Sequence, residues 1–372
     1  MELLPKLGEA LVWRGERAKA RDVLAEAHAV ATEIGDARLA ARARLATAVA
    51  LMWGEGPVPP DQMLRDVEDA VPVLERAGDH GALAMAELVR FHALDRSRLP
   101  SSEQRLSVAL DHARKANERE IEHRVMSWIC ITLAGGTVPV DDAIRQVQEI
   151  AEVSTSAYVY ASARGALGLL RAMSGEFEEA RALVEETRRS LEELGLWVSA
   201  AGHSIAVAEV EIMAGADAAA ERVLRSGFET LSRSHDELSR ANVAWRLGLL
   251  LARQGRGDEA ERFARIAERV PTPGLWVDVW WRLVLALVEA HRGDASAALR
   301  LVGEARADIA SARGPGSRME ADALIECAEV LRRVGRLDEA AALAGEAAGI
   351  AERLGYVVAR RRAEHAQRAL TA

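Results

Sequence analysis

A glycine followed five residues later by alanine recurs along this chain at a nearly fixed interval. The segments are Gly15–Ala20, Gly175–Ala180, Gly215–Ala220, Gly255–Ala260, Gly293–Ala298 and Gly335–Ala340. From Gly175 the steps are 40, 40, 38 and 42 residues, and the 160 residues from Gly15 to Gly175 leave room for three further units of that length. A repeat of this size is one supersecondary unit that cannot bury its apolar face alone and must stack on its neighbours. Such a chain grows by adding units, so 372 residues need not divide into the two or three globular domains that length alone suggests.

The unit from Ala161 to Gly195 shows what each repeat encodes. Ala166, Leu167, Leu169, Leu170 and Met173 recur at helical spacing and stop at Ser174-Gly175. Glycine suits that stop because it enters the left-handed region without a Cβ clash. Glu176, Glu178 and Glu179 then fall in the first turn of a second helix, where carboxylates oppose the macrodipole. That helix carries Ala180, Leu183, Val184, Thr187 and Leu191 on one face, so the unit is an antiparallel helical hairpin.

Small residues recur where the two helices must approach. Seven positions before each turn glycine stand Gly8, Gly168, Ala208, Gly248, Ala286 and Ala328. Twelve positions after it stand Ala27, Thr187, Gly227, Ala267, Ala305 and Ala347. This spacing resembles the tetratricopeptide repeat (TPR), and Gly175-Glu-Phe-Glu-Glu-Ala180 is similar to that family's turn. Two features depart from the pattern. The period is about 40 rather than 34, and the closing proline gives way to pairs such as Gly35-Asp36 and Gly78-Asp79. Longer, proline-less repeats of this kind, best represented here by Ala321–Ala348, resemble the C-terminal repeat regions of MalT-like and LuxR-type regulators and of cyclase-linked signalling ATPases of actinobacteria. The resemblance implies a right-handed superhelical, all-α solenoid of about nine hairpins. A single array is expected over residues 1–372, with degenerate repeats over 1–160, regular ones over 161–354 and a capping helix over 355–372.

In the degenerate half, turns are expected near Gly54-Glu-Gly-Pro57, Asp95–Pro100 and Gly135–Pro139, with Pro59 and Pro60 beside the first. Pro271 and Pro273 should precede a helix, Gly314-Pro-Gly316 should be a loop, and Pro72 should break or kink the helix it interrupts. The final helix, from about Tyr356, exposes Arg360, Arg361, Arg362, Glu364 and Arg368 as a polar cap, with an anionic partner as its less favoured use.

Composition narrows the function. A net charge of −9 offers no field for nucleic acid or anionic lipid. Only Lys6, Lys19 and Lys115 are lysines, which reads as the codon bias of a GC-rich genome. Cys130 and Cys327 lie in apolar helical stretches and should be packed, reduced thiols. With no membrane-spanning run and no signal-peptide core, the expected location is the cytoplasm. No P-loop, His-Glu-x-x-His or Cys-x-x-Cys is present, and Glu122-His123 reads as a solvated pair, so no enzyme, cofactor or metal site is expected. The opening helix, with Leu3, Leu4, Leu7, Leu11 and Val12 apolar, should pack on a preceding unit, the expectation for a piece of a longer protein.

In a superhelix of this type the first helices line the concave face. Inward positions then include Met85, Val89, Val125, Ile129, Ile205, Ile212, Trp245, Leu249, Trp280, Leu283 and Leu287, interrupted by Glu209, Asn242 and Arg253. The Lys/Asn clamp for C-terminal carboxylates of chaperone-binding TPR proteins is missing. Trp276-Val-Asp-Val-Trp-Trp281 concentrates three of the eight tryptophans; Trp280 and Trp245 are candidate groove anchors, Trp281 a core residue, and Tyr158 and Tyr160 weaker candidates. The reading is a non-enzymatic scaffold that takes a protein or peptide segment in the groove at Trp245, Leu249, Trp280, Leu283, Leu287, Ile205, Ile212, Asn242 and Glu209. The alternative is a sensory module of a bacterial transcription regulator or signalling ATPase, binding a small ligand near Trp245, Asn242 and Glu209.

Overall fold

The computed structural model describes residues 3–13, 16–51, 59–97, 102–234, 236–270, 275–311 and 316–371. Among these, nineteen α-helices and no strand are found, and consecutive helices pair as hairpins. The chain is an all-α, TPR-like helical solenoid. Its contacts gather into two compact units, Met1–Ile129 with Ser232–Leu238, and Cys130–Leu231 with Ser239–Ala372.

The first unit contains α1 (Leu3–Trp13), α2 (Arg17–Glu33), α3 (Ala37–Leu51), α4 (Pro60–Ala77), α5 (His80–Ser97) and α6 (Ser102–Ala116), and α7 (Arg119–Gly135) begins in it. From α1 to α6 each helix packs on the next, and α3 also packs on α1 and α5. Leu24, Leu45, Met63, Leu74, Met85, Val89, Leu106, Ile121 and Val125 form one buried cluster. The second unit continues with α8 (Val140–Val153), α9 (Ala157–Ser174), α10 (Phe177–Glu193), α11 (Trp197–Met213), α12 (Asp217–Ser234), α13 (Glu237–Arg253), α14 (Gly257–Glu268), α15 (Leu275–Arg292), α16 (Ala295–Ser311), α17 (Arg318–Arg333), α18 (Leu337–Leu354) and α19 (Val357–Thr371). The junction of α12 and α13 falls in the Ser232–Leu238 segment of the first unit.

The turn glycines do what the spacing requires. Gly175, Gly215, Gly255, Gly293 and Gly335 all have φ between 76° and 92°. At Gly175 the helix closes with Gly175 N–H donating to the Ala172 carbonyl and Glu176 N–H to the Arg171 carbonyl, both at 3.0 Å. This pairing satisfies carbonyls that a helix end otherwise leaves bare. The Gly-Asp pairs that replace proline combine two tasks. Gly35 and Gly78 end one helix with φ of 73° and 63°. Asp36 and Asp79 then cap the next, accepting from the Leu39 and Ala82 amides at 2.9 Å. Asn117 takes the same left-handed role at φ 54°.

Close helix approach is equally visible. A Cβ on Gly168 would lie 2.6 Å from Val184 Cγ1 and 3.1 Å from the Ala180 carbonyl oxygen, and one on Gly227 would lie 2.7 Å from Ser204 Cβ. The helices could not meet there around a larger side chain. Thr187, where other repeats carry Ala or Gly, spends its hydroxyl on the Ala161 and Leu183 carbonyls at 3.1 and 3.0 Å. Between repeats, His203 Nε2 donates to the Val184 carbonyl at 2.9 Å, and burial pushes its pKa down to about 4.

The prolines separate into kept and corrected expectations. Pro59 and Pro139 stand at the N-caps of α4 and α8, and Pro60 occupies the first turn of α4. Pro72, by contrast, does not break its helix: α4 runs from Pro60 to Ala77 through it. Met63, Val67 and Ala70 on one side and Leu74 on the other are buried, and that packing holds the helix across the lost hydrogen bond. The expected turns at Gly15, Gly54–Pro57 and Pro100, and Pro271, Pro273, Gly314 and Pro315, lie outside the described residues. Cys130 and Cys327 are buried free thiols, their pKa values pushed up to about 12 by burial. No helix among the described residues is long and apolar enough to cross a membrane.

Two outcomes test this packing. Gly168→Ala should destabilise by about 1–3 kcal/mol through overpacking, whereas Gly303→Ala, with open space around its Cβ, should gain up to ~1 kcal/mol in helix propensity; urea titration followed by circular dichroism separates them. For His203, the folded pKa lies below the unfolded one, so its contribution is present above about pH 6.5 and lost as pH falls towards 4. Thermal melts should lose up to ~3 kcal/mol over that window, and His203→Gln should flatten it.

Candidate functional site: a charged row on the first helices of the second unit

In the second unit, α11, α13, α17 and α19 bring together four arginines and three carboxylates from distant parts of the chain. On α17, Arg318, Asp322 and Glu326 stand four residues apart and share one face. Arg246 and Arg253 lie two turns apart on α13, Glu209 is on α11, and Arg362 is on α19.

The groups alternate in sign. Arg246 Nε donates to Glu209 Oε1 at 2.8 Å, and Arg318 Nη2 donates to the other oxygen of the same carboxylate. Arg318 Nε lies 3.6 Å from Asp322 Oδ2, and Arg362 Nη1 lies 3.8 Å from Asp322 Oδ1. Arg362 Nη2 and Arg253 Nη2 both donate to Glu326 Oε1, at 2.9 and 2.5 Å. Tyr356, itself buried, donates its hydroxyl to Asp322 Oδ1 at 3.2 Å.

Burial varies along the row. Arg318 and Glu326 are 5% and 3% exposed, while the side chains of Arg253 and Arg362 keep 25% and 35% of their surface open. Burial alone would raise the Glu209 carboxyl, but Arg318 and Arg246 outweigh it and hold the pKa at about 2. Glu326 is likewise held down, with Arg253 and Arg362 outweighing burial. Asp322 goes the other way: burial raises its pKa against the pull of Arg318 and Arg362. No nucleophile is paired with a base in this row. The row is a network of ion pairs in which each carboxylate faces two arginines.

The expected groove residues take definite places around it. Trp245 and Trp280 stack face to face, centroids 4.7 Å apart and planes 4° from parallel, each 3% exposed. The Arg246 guanidinium covers the Trp245 ring at 3.9 Å, and Trp245 Nε1 donates to Asn242 Oδ1 at 3.3 Å. Arg246 thus joins Glu209, Asn242, Trp245 and Trp280 into one assembly. Leu249, Leu283 and Leu287 are buried beside it in sequence, and Ile205 and Ile212 on α11 are half-buried. Trp281 is half-buried, bonded through Nε1 to Asp278 at 3.2 Å and covered by Arg282 at 4.3 Å.

Sequence reasoning located Glu209 and Arg253 and left out Arg246, Arg318, Asp322, Glu326 and Tyr356. A signal for two of them was present. Nine residues before the turn glycine the repeats at Gly175, Gly215 and Gly293 carry Ala166, Ala206 and Val284, whereas Lys6, Arg246 and Glu326 occupy that register in the others. Arg362, read as part of an exposed cap, is engaged with α17. Its helix also packs against α9. Nearby, the Gly136 carbonyl accepts from the Arg318 amide at 3.3 Å, so the second unit closes on itself.

No protein-family model and no curated protein sequence matches the chain. Solved structures do. A Rap protein complexed with competence and sporulation factor aligns with TM-score 0.58 at 14% identity, over 95% of this chain and 98% of that one. A signal-transduction ATPase with a tetratricopeptide repeat sensor, from Pyrococcus horikoshii, aligns with TM-score 0.46 at 15% identity, over 86% of this chain and 47% of that one. The first likeness shows the shared helical-repeat fold.

Removing one carboxylate should expose how the row is balanced. Glu209→Gln leaves Arg246 and Arg318 facing each other without their anion and should cost about 3–5 kcal/mol. Arg362→Gln, at the open end, should cost no more than ~1 kcal/mol. Chemical unfolding of both variants checks the difference, and equal losses would contradict this account of the row.

Proposed function

We propose that this chain is a non-enzymatic protein-interaction scaffold that takes a partner segment on the first-helix face of its second unit. The observation that carries the proposal is the charged row itself. Buried ion pairs seldom stabilise a fold more than packed apolar groups of the same volume. An unbroken series of them, two of whose members, Arg246 and Glu326, stand where the repeats at Gly175, Gly215 and Gly293 carry Ala or Val, therefore serves recognition better than stability. Arg253 and Arg362, at the open end, are the groups a partner meets first.

In this reading a partner carrying both carboxylate and cationic side chains exchanges ion pairs with the row. Glu209, Arg246 and Asn242 form its second contact. A partner side chain that displaces Arg246 reaches the Trp245 ring, with Trp280, Leu249, Leu283 and Leu287 as the packed floor and Ile205 and Ile212 as the α11 wall. The binding mode is that of a segment laid in a groove, with specificity from charge pattern. The fold shared with the Rap protein, whose structure contains competence and sporulation factor, is compatible with this use.

The test is a peptide array of mixed-charge segments probed with the wild-type chain and with Arg362→Gln. Binding should concentrate on peptides bearing both signs of charge and fall at least about tenfold in the variant, while its melting temperature stays within a few degrees. Equal binding by a folded variant would remove the row from the site.

A further inference from the structure

A second site is built into the first unit, where a cavity of about 500 Å³ opens at the N-terminal ends of α3 and α5. Its floor is an ion-paired cluster. Arg42, 6% exposed, donates to Glu118 Oε2 at 2.8 Å and to Asp79 Oδ1 at 3.2 Å, and its Nε has no hydrogen-bond partner. Arg38 adds a second bond to Asp79, at 3.1 Å. Glycine at position 81 keeps this floor in place, because a Cβ there would lie 2.5 Å from Glu118 Oε1.

Both carboxylates that line the cavity are thus already engaged by arginine. The other charged groups lining it are Lys6 and Lys115, and among the described residues neither has an ion-pair partner. The chain has three lysines among 48 basic residues, and two of them stand at this one opening. The third, Lys19, lies elsewhere and is paired with Glu16 at 2.6 Å. A local cationic excess in a protein of net charge −9 marks a place where an anion is stabilised.

We propose that this cavity binds a compact small-molecule polyanion, with one anionic group held by Lys6 and another by Lys115 above the Arg42 floor. The lining is polar, with Leu39, Ala77 and Ala116 as its small apolar share and His80 as its one ring. No Phe, Tyr or Trp offers a stacking platform, so a nucleobase or an extended aromatic ligand does not fit the lining. Phosphate and carboxylate groups share the required chemistry, and the assay separates them.

Isothermal titration of the full chain at low ionic strength, with pyrophosphate in one arm and citrate in the other, tests the site. Saturable one-to-one binding of either probe is expected, the stronger arm naming the anion class. Lys6→Gln/Lys115→Gln should weaken that binding at least about tenfold, because each lysine supplies a charge-assisted contact. Both lysines are exposed, so the melting temperature should not change. Lys19→Gln should bind as the wild type does. Absence of binding by both probes, undiminished binding by the double variant, or an equal loss in Lys19→Gln would each overturn the proposal.

Discussion

The distance at which two helices of one hairpin can pass each other governs the rest of this structure. At Gly168 and Gly227 there is no room for a Cβ, and the left-handed glycine at each regular turn sets the reversal that brings the helices together. Both features are local, and both recur at a period near 40, so packing decided for one hairpin is decided for its neighbours. The longer period also gives most helices about four to five turns, enough to carry a second stripe of side chains beyond the one consumed by hairpin packing.

In the second unit that surplus stripe is charged. Glu209, Arg246, Arg253, Arg318, Asp322, Glu326 and Arg362 neutralise one another across four helices, and their desolvation is offset only while every member keeps its partners. The indole pair lies under one end of the row, sealed by Arg246. In the proposed function, a partner is recognised by the charges it can substitute. The apolar residues behind the row then act as support for Arg246 and as a surface reached only when it moves.

The first unit uses the same ingredients differently. Arg42, Asp79 and Glu118 also form a network across successive repeats, but it closes at the base of a cavity whose opening carries lysines without carboxylate partners. One Asp does two tasks there: Asp79 caps α5 through the Ala82 amide and holds Arg38 and Arg42. Repeat geometry thus supplies a series of helix starts on one edge, and small changes of side chain decide whether that edge is neutral or cationic.

Much of this could be read without coordinates. The glycine–alanine period determined the helical hairpins, the positive-φ turns and the small residues at the crossings, because each depends on residues within one repeat. A break at Pro72 was one of two expected outcomes, and α4 instead runs through it because Met63, Val67, Ala70 and Leu74 hold the helix together from both sides. The charged row was only half legible. Arg246 and Glu326 stood at an apolar register, yet nothing local says that Glu209 meets Arg318, 109 residues away, or that Trp245 stacks on Trp280 beneath a guanidinium. Those pairings are settled by how the second unit closes on itself, a sum of small angles between neighbouring repeats, and only the tertiary structure decides which charges that closure brings within reach.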